Sequence, residues 1–169
     1  SFLCGVEVEA GNITRVTVAG KNTTTSYQAK TFIDATGDGD LAALCHVGFD
    51  KGRPSDGYTQ PMSMIFKVGG IDFGKVISYM RQNPEQFILH KDYKQLDRYL
   101  AVSGFFDIVR LAKACGDFNI PRDRILFFQG LHPGEAFINT SRIIKLSGLS
   151  SHDQTIAETE AARRVEELL

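Results

Sequence analysis

Residues 2–8 alternate along an extended chain. Phe2, Cys4, Val6 and Val8 fall on one face, with Leu3, Gly5, Glu7 and Glu9 on the other. A period of two predicts a half-buried strand. Ala10-Gly11-Asn12 is a tight-turn signal. A second β-rich run, ITRVTVAG, leads to the turn GKNTTT and a third run, SYQAKTFID. Three strands joined by short turns predict a β-meander. The third run becomes wholly apolar at Phe32-Ile33, so its end is expected to enter the interior of a larger sheet.

The period then changes. Leu41, Ala42 and Leu44 share one side of a helix over 40–45. GRPSDGYTQP is a loop by composition, and MSMIFKVGG reads as a strand. Phe73, Val76, Ile77 and Met80 keep helical spacing over 72–81, and Asn83-Pro84 ends that helix. Residues 93–115 read as mostly helical, with Gly104 as an interruption. ILFFQG and EAFINT read as strands around the turn at 131–134. Ser151-x-x-Gln154 is a capping-box pattern opening a last helix, whose apolar side is Ile156, Ala161, Val165 and Leu168. The fold class expected is α/β to α+β. The character of the chain shifts between 1–45, a meander, strand and helix start, and 60–140, a mixed strand and helix region.

Composition narrows the classes of function. The chain has 169 residues, 43% hydrophobic, and a net charge of -1. A core of this size argues against disorder. The absence of a basic stripe argues against nucleic acid and acidic membrane surfaces as partners. No apolar run has the length of a membrane span, and no signal peptide precedes the first strand. Cys4, Cys45 and Cys115 form no CxxC pair, which predicts reduced thiols and a cytoplasmic protein. Opening at Ser1 inside a strand pattern and closing on EAARRVEELL without a stop signal, the chain reads as a piece of a longer protein.

Chemistry concentrates in FIDATGDGDLAAL, where Asp34, Asp38 and Asp40 crowd around Gly37 and Gly39. A calcium loop needs a Glu at its twelfth position. Counting from Asp34 that position is Cys45, and from Asp38 it is Phe49, so calcium fails. No other set of residues has metal-ligand spacing. Two readings stay open. Asp38 or Asp40 caps the helix, or the corner receives a ligand. In the second, Ala35-Thr36-Gly37 leaves bare backbone for a bulky group. The helix start would offer N–H groups to phosphate, and an Asp would accept from ribose hydroxyls. A nucleotide-containing cofactor meets all three conditions. His132 in a Leu-His-Pro-Gly turn, His90 and His152 read as solvent residues. Met62 and Met64 read as core or pocket wall. Phe105-Phe106 and Phe127-Phe128 read as core, with one of Phe127 and Phe128 facing a second layer.

FIDATGDGDLAAL resembles the second flavin-contact motif of the FAD-dependent oxidoreductases, which have a glutathione-reductase-like flavoprotein fold. KGRPSDGYTQPMSMIFKVGGID resembles the next block of the subgroup related to the heterodisulfide reductase flavoprotein subunit. AFINTSRI followed by ETEAARRVEELL resembles a later one. The resemblance implies that 1–50 is part of a FAD-binding domain: meander, Ala-Thr-Gly strand and helix. It makes 51–149 a mixed-sheet substrate domain and 150–169 the start of a helix returning toward the FAD domain. It implies FAD contacts at Ala35, Thr36, Gly37, Asp38, Gly39 and Asp40, and transfer of a hydride or electrons to a small-molecule substrate.

No G-x-G-x-x-G occurs in these residues. The loop that carries the pyrophosphate in that family is therefore expected in the missing remainder of the chain. This stretch alone is expected to be inactive and not to retain FAD. Relatives near the heterodisulfide reductase flavoprotein carry iron–sulfur clusters, for which no ligand set exists here. Cys45-His46 stands where relatives have Ala-Gly. Neighbours on a helix point about 100° apart, which favours a buried cysteine and a local substitution over a catalytic pair. Arg142 is the candidate for substrate chemistry, since a fixed guanidinium suits a carboxylate or other anion beside the flavin. Its alternative is an ion pair with Glu158 or Glu160. Gln60 is a candidate flavin-edge contact or a partner of loop backbone. A non-catalytic α+β binding or interaction domain is the rival reading of the whole chain.

Overall fold

A computed structural model describes residues 1–88 and 100–169. Two compact units divide them, Ser1–Lys51 and Gly52–Leu169. In the first, β1 (Phe2–Glu9), β2 (Asn12–Ala19) and β3 (Thr24–Tyr27) form an antiparallel sheet in the order β1-β2-β3. The β1–β2 turn has positive φ at both Ala10 (47°) and Gly11 (79°). Such a two-residue turn matches the twist of paired strands. Arg15 reaches Glu7 across the ladder at 3.1 Å.

The third run departs from expectation. Pairing with β2 ends at Tyr27, and residues 28–33 join no ladder. Ile33 is 85% exposed, not interior. Apolar side chains become buried in a sheet only where a neighbouring strand takes their backbone groups. Among the described residues none lies beside this segment. Helix α1 (Asp40–Leu44) follows, with Leu41 buried and Leu44 on the surface.

The second unit runs β4 (Phe66–Val68), α2 (Phe73–Gln82), a 3-10 turn (Pro84–Gln86), β5 (Ala101–Gly104), α3 (Phe106–Cys115), β6 (Ile125–Gln129), β7 (Ala136–Ile138) and α4 (Ser151–Glu167). The sheet order is β4-β7-β6-β5. Every ladder is antiparallel where a mixed sheet was expected, since the tight 130–135 connection folds β7 straight back on β6. Met80, Phe87, Leu100, Val102, Phe127, Ala136 and Ile138 form the main core, and Phe73, Val76 and Ile77 of α2 pack on it as their spacing predicts. Phe127 is buried and Phe128 exposed. Asp72 caps α2, accepting from the Lys75 N–H at 3.0 Å.

Two expectations from helical spacing hold only in part: 106–115 is helical and the last helix forms, but neither is as expected throughout. The 93–115 reading covers 89–99 in part, which lie outside the described residues, as does His90. Within the rest, 101–104 is strand. Gly104 ends it because a Cβ there would overlap the Phe87 ring and the Gln86 carbonyl. Next to it Phe105 adopts φ 64°, a strained conformation for a bulky residue. Its N–H donates to the Gln86 carbonyl at 2.8 Å, and its ring sits 4.8 Å from that of Phe87. In α4 the cap is Ser150, not Ser151, accepting from Asp153 N–H at 3.2 Å. The buried side is Ala157 and Ala161, while Ile156 is exposed. Small side chains let α4 sit close over Ile143 and the half-buried Met62 and Met64.

Candidate functional site

The acidic corner is built by Asp34 and Thr36. Asp34 Oδ1 accepts from Thr36 N–H at 3.0 Å and from the Thr36 hydroxyl at 2.7 Å. Asp34 Oδ2 accepts from the Ala42 N–H at 3.0 Å. The Asp40 N–H donates to Thr36 Oγ at 2.7 Å. The Thr36 hydroxyl, followed by the Ala42 and Thr36 amides, holds the Asp34 carboxyl below the ordinary carboxylate value.

Capping by Asp38 or Asp40 is therefore corrected. The N-cap is Gly39 at φ 71°, with no side-chain cap of its own. The incoming segment lays Asp34 beside the helix start, eight residues ahead of its partner in sequence. Asp34 was missed as a site residue because no local spacing pairs it with Ala42. The same geometry changes the ligand reading. The Asp40 N–H is taken by the Thr36 hydroxyl and the Ala42 N–H by the Asp34 carboxylate, so phosphate would meet negative charge there. The Asp38 and Asp40 carboxylates accept no hydrogen bond from described residues, and a Cβ at Gly37 would meet nothing within 4 Å. The corner therefore offers open backbone at Gly37 and two carboxylate acceptors for hydroxyl groups, and its occupied amides do not suit a phosphate.

Cys45 and His46 close α1. Their amides donate to Leu41 O (2.9 Å) and Ala43 O (3.0 Å). His46 has φ 56°, the left-handed helix end that glycine favours, which accounts for its place in the pattern.

The second unit holds a separate cationic site. Its outer wall is the 52–61 loop. Arg53 clasps Asp56 through Nε (3.1 Å) and Nη2 (2.5 Å), and Asp56 also accepts from Tyr58 N–H at 3.0 Å. Asp56 is held below its ordinary carboxylate value, first by the Tyr58 amide and then by Arg53. The opposite wall is the segment after β7. Thr140 and Ser141 are fully buried. The Thr140 hydroxyl accepts from Leu126 N–H (2.9 Å), and the Ser141 hydroxyl accepts from Met64 N–H (2.9 Å). Ile143 exchanges backbone bonds with Met62 at 2.7 and 3.0 Å. Arg164 of α4, paired with Glu160 at 3.0 Å, donates to the Ser141 and Arg142 carbonyls.

These bonds hold Arg142 at φ 31°. It lines a cavity of about 690 Å³ with Arg53, Tyr58, Gln60 and Lys145. It also lines a smaller one of about 250 Å³ with Gln60, Ser63, Arg122 and Asn139. The ion pair with Glu158 or Glu160 does not form: Glu160 is taken by Arg163 and Arg164, and among the described residues no acid pairs with Arg142. Gln60 walls both cavities. Arg122, which sequence reasoning missed, donates from Nη1 to Asn139 O at 3.2 Å. The Arg122 and Arg142 Nε atoms are buried with no hydrogen-bond partner. Burial, then the Arg142 and Arg124 charges, push the Arg122 guanidinium pKa down.

His132 and His152 lie on the surface. Among the described residues no group of three His, Cys, Asp or Glu could hold a metal, and no helix is long and apolar enough to cross a membrane. A family model described as FAD dependent oxidoreductase matches residues 1–169. No curated protein and no solved structure matches the chain.

Proposed function

The chain belongs to the FAD dependent oxidoreductase family, and from that premise we propose that it supplies one wall of a flavin site and the anion-holding part of a substrate site. The family match over the whole chain carries the reading. FAD, when bound, supplies hydride or electron exchange. The chain's own residues bind and orient. Ala35–Gly37 present open backbone, and the unspent Asp38 and Asp40 carboxylates accept from cofactor hydroxyls. Asp34 and Thr36 hold the corner rigid, so its backbone is ordered before any ligand arrives. Gly39 sets the turn, and Gln60 is a further candidate contact. Arg142 grips a substrate anion, and its fixed charge favours negative charge growing on that substrate.

The relation to the heterodisulfide reductase flavoprotein stays within this proposal, as do an iron–sulfur cluster elsewhere in the parent protein and completion of the site by the rest of that parent. The separated free thiols of Cys4, Cys45 and Cys115 support a cytoplasmic setting. We expect the 169 residues alone to be colourless and inactive, because they contain no G-x-G-x-x-G.

Absorbance spectroscopy of the longer parent protein tests the reading. A flavin band that bleaches on reduction, and that weakens in Asp38→Ala, is expected. A parent that shows no band after incubation with FAD would leave the non-catalytic binding domain as the better account. Stoichiometric FAD on the 169-residue chain would refute the claim that the glycine loop is needed.

A further inference from the structure

The two cavities that share Arg142 have an unbalanced charge. In the larger cavity the one lining acid, Asp56, is paired with Arg53, which leaves Arg142 and Lys145 unbalanced, and the smaller cavity is lined by Arg122 and Arg142 with no acid. Asp123 is the nearest acid in sequence to Arg122, and it lies on the surface paired with Arg124 at 3.2 Å. Like charges are costly to keep together in a partly desolvated pocket. Orphaned buried donors are costly too. Both costs fall on the same two side chains, Arg122 and Arg142, and both are relieved by one kind of ligand.

We propose that Arg122 and Arg142 together form a two-point site for a small dicarboxylate. A guanidinium binds a carboxylate through two parallel N–H donors, and Nε–H is one of those that can serve. Each arginine lines the chamber and has an Nε–H with no partner, closed to solvent in the structure, so a molecule with two carboxylates would satisfy both once the guanidinium groups turn toward it. Gln60, Ser63 and Asn139 supply neutral polar groups on the same wall. The approximately 250 Å³ chamber suits a compact acid, and it shares Gln60, Pro61 and Arg142 with the lining of the larger one. This deepens the functional reading by naming the class of anion that Arg142 would hold, and it rests on that reading only for the acid's role as substrate. The binding itself requires no flavin.

Isothermal titration calorimetry of the flavin-free protein with succinate, acetate and inorganic phosphate tests it at fixed ionic strength. Succinate is expected to bind about tenfold or more tighter than acetate, and tighter than phosphate. Arg122→Gln and Arg142→Gln should each weaken succinate about tenfold. Arg122→Lys keeps the charge but loses the fork, and should lose most of the preference for succinate over phosphate. Lys75→Gln on exposed α2 should change nothing. Circular dichroism identifies any variant that does not fold, and the wild-type comparison of three anions is independent of the variants. Acetate as tight as succinate, phosphate as tight as succinate, or a folded Arg122→Gln with unchanged affinity would each overturn the proposal. None of these results depends on flavin absorbance, so this site and the flavin reading fail separately.

Discussion

The acidic corner and the arginine pocket differ in what their polar groups have left to give. In the corner, Asp34 has accepted three hydrogen bonds, two from Thr36 and one from Ala42. Its charge is spent on the chain's own helix. In the pocket, Arg122 and Arg142 each retain a buried donor with no partner, although the segment leading to Arg142 is tied down by Met64, Leu126 and Arg164. A crowd of charged residues is therefore a poor guide to a binding group. The better guide is an unspent group on a fully stitched backbone. At the corner that criterion selects Asp38 and Asp40 over Asp34.

The largest effect should come from loosening the pocket's backing. Arg164→Ala removes the donor to two carbonyls and the partner of Glu160. It should cost about 2–3 kcal/mol of stability in the second unit, measured by urea denaturation, and weaken anion binding with it. If stability is lost while succinate affinity stays intact, Arg164 does not position Arg142.

A smaller effect should come from the corner. Asp34→Ala should speed amide exchange at Ala42 about fivefold, whereas Asp38→Ala should leave it unchanged. Equal effects would erase the distinction between spent and unspent acids. The pH dependence follows from the sign of the shift. The folded pKa of Asp34 lies below its ordinary 3.8. Its stabilising contribution is therefore complete above that ordinary value and lost as pH falls through the lower folded one. Ala42 protection in wild type and Asp34→Ala should differ at neutral pH and converge only below the ordinary value. Convergence near pH 6 would contradict the assignment.

Much of the fold was legible in local periodicity. Alternation marked β1, and helical spacing marked α2 and the face it buries. The Phe127-Phe128 pair marked a strand with two sides. Sequence reasoning lost the strand at 101–104 because a short apolar run around Leu100 and Val102 fits either period. The position of Gly104 was visible, but its reason, the Phe87 ring against it, was not. The site was less legible. Arg142 stood out beside Asn139-Thr140-Ser141. Arg122 did not, because only the fold brings its side chain to the wall that Arg142 lines. The charge of Asp34 is plain in the sequence, yet its bond to Ala42 spans eight residues and has no local signature.

The distinction between the two regions can be read in one nuclear magnetic resonance titration of the flavin-free protein with succinate. The Nε–H signals of Arg122 and Arg142 are expected to shift together along one saturating curve, while the Ala42 amide held by Asp34 stays in place. Motionless Nε–H signals, or a shift at Ala42 as large as theirs, would contradict the account.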